Sequence, residues 1–371
     1  MAAASTIRLR GLWFSIHKWI GILLAILIVP ISLSGSALVW HDWLDGAVNP
    51  ERHVAHGKAQ LPFEAYVAGA RRSLTPQDRV SAIAFPAERG AVQVTAVRPA
   101  EGGRGRPVRT QIWVDPASGE MIDRQSGNEG LVRTLHVLHG SLMVPGVGRQ
   151  IVGWIGVFML VSCLTGLWLW WPTVGGFRRG LRWRRQETTN ANLHHGAGFW
   201  IAIPLAMLSF TGVWISFPGV FGGAAPAAAK ARPAGPPLPL EQPRLNSELA
   251  AVMATARGQG SLRSVAWPTD QSPSWTVAVR GEDGRSAEFK VDDRSGAVSE
   301  APPRPETTSR LMRRWHDGDG MGPLWQTIIF IGGLIPALLA VTGIVMWLRT
   351  RRWRADAARR QKGPIEVKPR G

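Results

Sequence analysis

A helix that crosses a hydrocarbon core about 30 Å thick needs roughly 20 residues, and four apolar stretches of this chain reach that length: 19–40, 151–171, 200–221 and 327–348. No soluble domain of this size buries four such segments, so the chain is expected to be a multi-pass membrane protein. Trp13, Trp19, Trp40, Trp43, Trp168, Trp170, Trp171 and Trp347 lie near the ends of the stretches, as an interfacial aromatic belt requires. Pro30, Pro204 and Pro336 fall inside them, where packed membrane helices tolerate proline. Arg8, Arg10 and the small residues Ser34-Gly-Ser-Ala37 give the first stretch some features of a signal peptide. Its apolar run exceeds the about 7 to 15 residues of a signal core, so it reads as an uncleaved anchor.

Charge sets the expected orientation. The chain carries a net charge of +17, which in a soluble protein would suggest nucleic acid as partner. Here 17 basic and 3 acidic residues fall in the short flanks 1–18, 173–193 and 349–371, while the loops 41–149 and 218–324 are nearly neutral. By the positive-inside rule both termini and the loop with Arg178, Arg179, Arg182, Arg184 and Arg185 are expected in the cytoplasm, and both long loops in the periplasm or cell exterior. The basic excess then reports orientation and contact with anionic lipid, with no nucleic-acid partner.

One offset, 177 residues, aligns features throughout the chain: His17 with His194, Leu61-Pro62 with Leu238-Pro239, Val114-Asp115 with Val291-Asp292, Ser118-Gly119 with Ser295-Gly296, and His139 with His316. Within the spans, Ser34-Gly35 matches Thr211-Gly212 and Thr165-Gly166 matches Thr342-Gly343. The expected fold is therefore four transmembrane α-helices as two tandem repeats, each carrying a periplasmic α+β domain, related by an axis along the membrane normal. The boundaries are a cytoplasmic N-terminus (1–18), a first span (19–40), a first external domain (41–149) and a second span (150–172). A basic loop (173–193), a third span (194–221), a linker and second external domain (222–326), a fourth span (327–348) and a basic tail (349–371) follow. The linker is the Ala, Pro and Gly-rich stretch 222–239. Within the external domains, helix-like spacing covers 63–73 and 246–257, and alternation predicts strands at 92–97 and 275–279. Gln111-Ile-Trp-Val-Asp-Pro-Ala-Ser-Gly-Glu and Glu288-Phe-Lys-Val-Asp-Asp-Arg-Ser-Gly-Ala read as strands entering tight turns.

Those two turns resemble the signature of PepSY domains. The segments His17-Lys-Trp-Ile-Gly and His194-His-Gly-Ala-Gly, each with Ser/Thr-Gly seventeen residues on, resemble PepSY-associated transmembrane helix proteins. The likeness runs over about residues 10 to 355. It implies an iron-uptake membrane protein similar to the haem-containing ferrisiderophore reductases, with b-type haem and electron transfer. The partners implied are a ferric chelate or siderophore in the periplasm and an external electron donor, either quinol or a reductase. Homo-oligomerisation is left open.

The residues give a reading of their own. A single cysteine, Cys163, leaves no C-x-x-C-H and no cysteine-rich zinc site, so haem would have to be held non-covalently. Six-coordinate haem b in a helical bundle takes two imidazoles on facing helices. His17 and His194 form one candidate axial pair, at the cytoplasmic level, and His139 and His316 the other, at the external level, giving two haems. Gly35 and Gly212 lie about 25 Å along their helices from His17 and His194, near the external level; Gly166 and Gly343 lie near the cytoplasmic one. These four glycines are secondary cofactor candidates, since a missing side chain admits a flat ring, although small residues also serve helix packing. His195, His136 and His41 are the runner-up ligands. Their counterparts at the offset are Lys18, Arg313 and Pro218. His53 and His56 read as a solvated loop.

Nothing in the chain forms a convincing flavin or nicotinamide site; Gly318-Asp-Gly-Met-Gly lacks a preceding strand and reads as a loop. Two other classes compete with the reductase. One is a non-enzymatic membrane-anchored PepSY module that binds or regulates a periplasmic protein or peptidase. The other is a transporter, for which four spans without an internal acid leave little room. Trp315 and Trp325 could either meet a planar ligand or serve packing.

Overall fold

The computed structural model describes residues 2–53, 57–86, 90–99, 107–127, 129–171, 177–182, 186–221, 237–281, 285–303 and 305–361. Most of the linker 222–239 and the side chains of Arg184 and Arg185 lie outside the described residues, as does His56. The helices are α1 (Ala2–Val39), α2 (His41–Val48), α3 (Phe63–Arg71), α4 (Leu131–Ser141), α5 (Gly148–Trp170), α6 (Phe177–Gly180), α7 (Thr189–Ser216), α8 (Pro218–Phe221), α9 (Ser247–Gly258), α10 (Thr308–Asp317) and α11 (Pro323–Gln361). The strands are β1 (Arg79–Ala84), β2 (Val92–Arg98), β3 (Val108–Val114), β4 (Met121–Ser126), β5 (Gly260–Ala266), β6 (Ser274–Gly281), β7 (Ser286–Asp292) and β8 (Val298–Glu300). They divide into a helical unit, residues 1–40, 135–224 and 306–371, and a sheet unit, residues 41–134 and 225–305.

In the helical unit α1, α5, α7 and α11 are each long and apolar enough to cross a membrane. Their inward faces make a narrow apolar seam: Leu24, Ile28 and Ile31 of α1 pack with Ile155 of α5, and Cys163 of α5 packs with Ile201 and Leu205 of α7. Outward side chains are also apolar. Ile26 is 82% exposed and Ile203 74%, a pattern that water penalises and lipid accepts. Small residues draw α1 and α11 together, with the Ser36 hydroxyl donating to the Phe330 carbonyl at 2.9 Å beside Gly333. The two outer helices run well past the apolar cores that length alone marks, to residue 2 and residue 361. Two short helices, α4 and α10, precede α5 and α11; they lie within the stretches 41–149 and 222–326 expected as external domains, and most of α4 and all of α10 belong to the helical unit.

The sheet unit is one antiparallel sheet in the order β4-β3-β2-β1-β5-β6-β7-β8. Two four-stranded meanders meet where β1 pairs with β5, Ile83 standing opposite Val265. The two α+β halves expected as separate external domains thus share a single sheet and a single core, formed from Tyr66, Ile83, Val94 and Ile112 of one half and Val265, Trp275, Val277 and Val291 of the other. Helices α3 and α9 belong to this core. The Asn246 side chain caps α9 by accepting from the Leu249 amide at 2.7 Å. Both predicted turns form with the same chemistry. Asp115 Oδ1 accepts from the Ala117 and Ser118 amides, and Asp292 Oδ1 from the Arg294 and Ser295 amides. Gly119 and Gly296 then take φ of 73° and 70°, which other residues rarely adopt. Those bonds to Ser295 hold the Asp292 carboxyl below its ordinary range. Buried Arg52 donates to Asp123 at 2.6 Å and to Asp45 at 3.0 Å, with its guanidinium over Trp113.

Candidate functional site

The helical unit brings four histidines together in two pairs. His17 on α1 faces His194 on α7, ring centroids 6.3 Å apart with planes at 83°. His139 on α4 faces His316 on α10 at 5.9 Å and 41°. Metal–imidazole bonds of about 2 Å, plus about 1 Å from each nitrogen to its ring centre, put two axial imidazoles of one metal about 6 Å apart between centroids. Both gaps have that width.

All four rings are held the same way. Each passes its Nδ1 edge to a neighbouring helix, to a threonine hydroxyl immediately before a glycine, to a carbonyl four residues before one, or to both. His17 Nδ1 meets the Ser162 carbonyl at 3.2 Å and Thr165 Oγ1 at 3.1 Å; His194 Nδ1 meets Thr342 Oγ1 at 2.9 Å. His316 Nδ1 meets Thr211 Oγ1 at 2.9 Å and the Leu208 carbonyl at 3.1 Å. His139 Nδ1 meets the Ile31 carbonyl at 2.8 Å, while the neighbouring Ser34 hydroxyl turns back to Pro30 and Ile31 of its own helix. A carbonyl can only accept, and each threonine hydroxyl already donates to a carbonyl one turn back, Val161, Met207 or Leu338. Every Nδ1 therefore carries the proton and every Nε2 keeps its lone pair. Among the described residues no hydrogen bond engages Nε2 of any of the four. Burial, opposed by the Ile31 backbone contact and Asp317, lowers the His139 pKa below its ordinary value. Burial first, and then the facing His139, push His316 down to about 3. Neutral imidazole is the form that binds metal.

The four glycines sit against these rings. A Cβ at Gly166 would stand 3.0 Å from His17 Cε1, at Gly343 3.5 Å from His194, at Gly35 2.6 Å from His139 and at Gly212 3.2 Å from His316. The flat ring that uses the missing side chain here is the imidazole. The carbonyl partners have no residue signature, and the threonines show in the sequence only as the first residue of the matched Thr-Gly pairs.

The runner-up histidines are dispersed. His195 lies beside His194, centroids 6.3 Å apart, and His136 is on α4 one turn before His139. His41 opens α2 in the sheet unit and pairs with Asp42 at 3.2 Å. His53 lies against Gly46 in that unit. Trp325 Nε1 donates to the Trp315 carbonyl at 3.2 Å, so these two contact each other. Gly318, Gly320 and Gly322 all have positive φ in the turn from α10 to α11.

A cavity of about 530 Å³ surrounds the His17–His194 gap, within the range of small-molecule and cofactor sites. Its wall includes Gly166 and Gly343, the aromatic rings of Phe199 and Trp347, and many aliphatic side chains. The Ser162 hydroxyl, on the same wall, is buried with no hydrogen-bond partner among the described residues. Also among the described residues, no group of three or more His, Cys, Asp or Glu could hold a bare metal ion. Two facing imidazoles and an apolar slot suit a metal that brings its remaining ligands with it, which fits haem.

A comparison with curated proteins returns no match. The sequence model of the PepSY-associated TM region matches residues 14–350, and the chain, a multi-pass membrane protein with a PepSY-like sheet unit, belongs to that family.

Proposed function

We propose that this protein carries electrons across a bacterial inner membrane to a ferric chelate in the periplasm, using two b-type haems held by His17 with His194 and by His139 with His316. The observation that carries the reading is the pair of imidazole gaps, 6.3 and 5.9 Å between centroids, with all four Nε2 atoms unengaged. Bound haem would supply a one-electron Fe(III)/Fe(II) couple whose potential follows axial ligation, hydrogen bonding and burial. The chain supplies the rest. Thr165, Thr342 and Thr211, with the carbonyls of Ser162, Leu208 and Ile31, fix the ring tautomer and orientation. The glycines let the rings reach that position, and apolar walls exclude water.

Ser34 lies seventeen residues beyond His17 on α1, about 25 Å along the axis, so the two levels are separated by nearly the thickness of a hydrocarbon core. The basic flanks support placing the His17–His194 level on the cytoplasmic side and the sheet unit in the periplasm. The matching Asp-Ser-Gly turns and the two meanders support a tandem repeat. The ferric chelate rests on the resemblance to ferrisiderophore reductases; its reduction takes one electron and weakens the hold of hard oxygen ligands on iron. The electron donor in this reading is another molecule, a quinol or a reductase, since the sequence offers no convincing flavin or nicotinamide motif. A module anchored only to present its PepSY halves would give the facing imidazoles no task.

The test is a dithionite-minus-oxidised visible spectrum of the purified protein, with haem quantified against protein. Two low-spin haems per chain are expected, and His17→Ala and His139→Ala should each remove one. Absence of haem after expression with ample haem supply overturns the reading.

A further inference from the structure

The cavity at the His17–His194 level carries a charge pattern that two imidazoles do not explain. Lys18 of α1 and Arg351 and Arg354 of α11 line it, and no Asp or Glu does so among the described residues. None of the three cations has an ion-pair partner among those residues. All three gather at one rim. Helical side chains lean toward the N-terminus of their helix, which carries Arg351 back over Trp347, 5.6 Å to the ring centroid. Arg351 is eight residues beyond Gly343, about 12 Å along the axis, a span that the long arginine side chain shortens. On α1, which runs the opposite way, the Lys18 ammonium lies between two rings, 5.1 Å from the Trp19 centroid and 5.9 Å from that of Phe14. Phe14 and Trp347 themselves line the cavity, so Lys18 and Arg351 each lie within about 6 Å of a ring of its wall.

Like charges around a partly dry space repel one another, and their repulsion is relieved by an anion placed between them. An occupant that is apolar where it meets Phe199, Ile201 and Leu205 and anionic where it meets the rim satisfies both. We infer that Lys18, Arg351 and Arg354 bind the two carboxylates of the cofactor held between His17 and His194, fixing it with its propionate edge toward the end of the bundle that bears the chain termini. This inference rests on the haem reading above. Lipid phosphate is the other source of anionic oxygen, and it would cap the rim without touching the cofactor.

The experiment titrates the haem-stripped, full-length protein, in uncharged detergent, with ferric haem and with ferric haem dimethyl ester, whose carboxylates are blocked. The His139→Ala background leaves only the His17–His194 level to bind, and His316→Ala serves as a second such background. Haem is expected to bind about tenfold more tightly than the ester, the difference one charge-assisted contact supplies. The triple variant Lys18→Gln/Arg351→Gln/Arg354→Gln should bind haem about tenfold more weakly and the ester unchanged. It should also lower the midpoint potential of this centre, because the lost positive charge had favoured the ferrous state. Equal binding of haem and ester by the unsubstituted rim, or equal weakening of both by the triple variant, overturns the carboxylate assignment and leaves the haem reading standing. Failure of both compounds to give a low-spin complex overturns the two together.

Discussion

His17 and His194 meet almost at right angles, their ring planes inclined by 83°, whereas His139 and His316 are inclined by 41°. Each ring is oriented by its own partners. His17 bonds to a carbonyl and a threonine hydroxyl, and His194 to a threonine hydroxyl; His139 has the Ile31 carbonyl but no serine hydroxyl, since Ser34 bonds to its own helix. The orientation of axial ligand planes governs the anisotropy of a low-spin ferric haem. Electron paramagnetic resonance of the oxidised protein should therefore show two distinct low-spin signals, the more anisotropic one lost in His17→Ala. A single signal of double intensity would contradict this difference in ligand planes.

The glycines predict a graded series. A Cβ would approach the facing imidazole to 2.6 Å at Gly35, 3.0 Å at Gly166, 3.2 Å at Gly212 and 3.5 Å at Gly343. The first is a collision with a ring that cannot bend; the last is ordinary contact. Overpacking of this kind costs about 1–3 kcal/mol, while alanine in place of a helical glycine gains about 0.5–1 kcal/mol. Gly35→Ala should displace His139 and lose most of the haem at that level, and Gly343→Ala should retain full occupancy. Haem per chain, measured for the four single variants, should rise in that order. Equal loss in all four would assign the glycines to helix packing alone.

Thr342 tests the role of the hydroxyls. It accepts from His194 Nδ1 at 2.9 Å while donating to the Leu338 carbonyl. An Nδ1–H that donates makes the imidazole a stronger donor at Nε2 and favours the ferric state. Thr342→Val removes an interaction of about 1 kcal/mol, and should raise the midpoint potential of that centre by at most about 40 mV, at 59 mV per tenfold for one electron, because only the part of that interaction specific to the ferric state counts. Thr342→Ser, which keeps the hydroxyl, should restore the original potential. Potentiometric titration of the two variants decides it; no difference between them would remove the hydroxyl from the tuning of the site.

Much of this arrangement could be read from the chain because it depends on side-chain type. Membrane helices announce themselves by apolar length, and the Asp-Ser-Gly turns by residues that bond their own backbone. The offset that aligned His17 with His194 and His139 with His316 also marked the two pairs that the structure brings face to face. What stayed hidden depends on backbone. The carbonyls of Ile31, Ser162 and Leu208 that orient the rings have no residue signature. Strands β1 and β5 escaped because register shifts at Val80/Ala82 and Leu262/Ser264 break their alternation. They lie at the centre of the sheet, so missing them also hid the fusion of the two halves.

That fusion carries the last prediction. Ile83 and Val265 face each other across the β1–β5 seam, and both are fully buried in a core drawn from residues on either side. Phe63 of one half also donates its amide to Glu248 of the other at 2.6 Å. Two self-sufficient domains would respond independently to a core truncation in either one. A shared core makes each half depend on the other: Ile83→Ala should cost about 2–4 kcal/mol, and its effect should be non-additive with that of Val265→Ala, because the two side chains share one cavity. Pulse proteolysis of the detergent-solubilised protein in increasing urea should show segments 57–127 and 237–300 becoming cleavable at the same midpoint. Both segments should shift together in Ile83→Ala, although the substitution lies in the first alone. A shift confined to 57–127 would mean that the seam joins two independent folds.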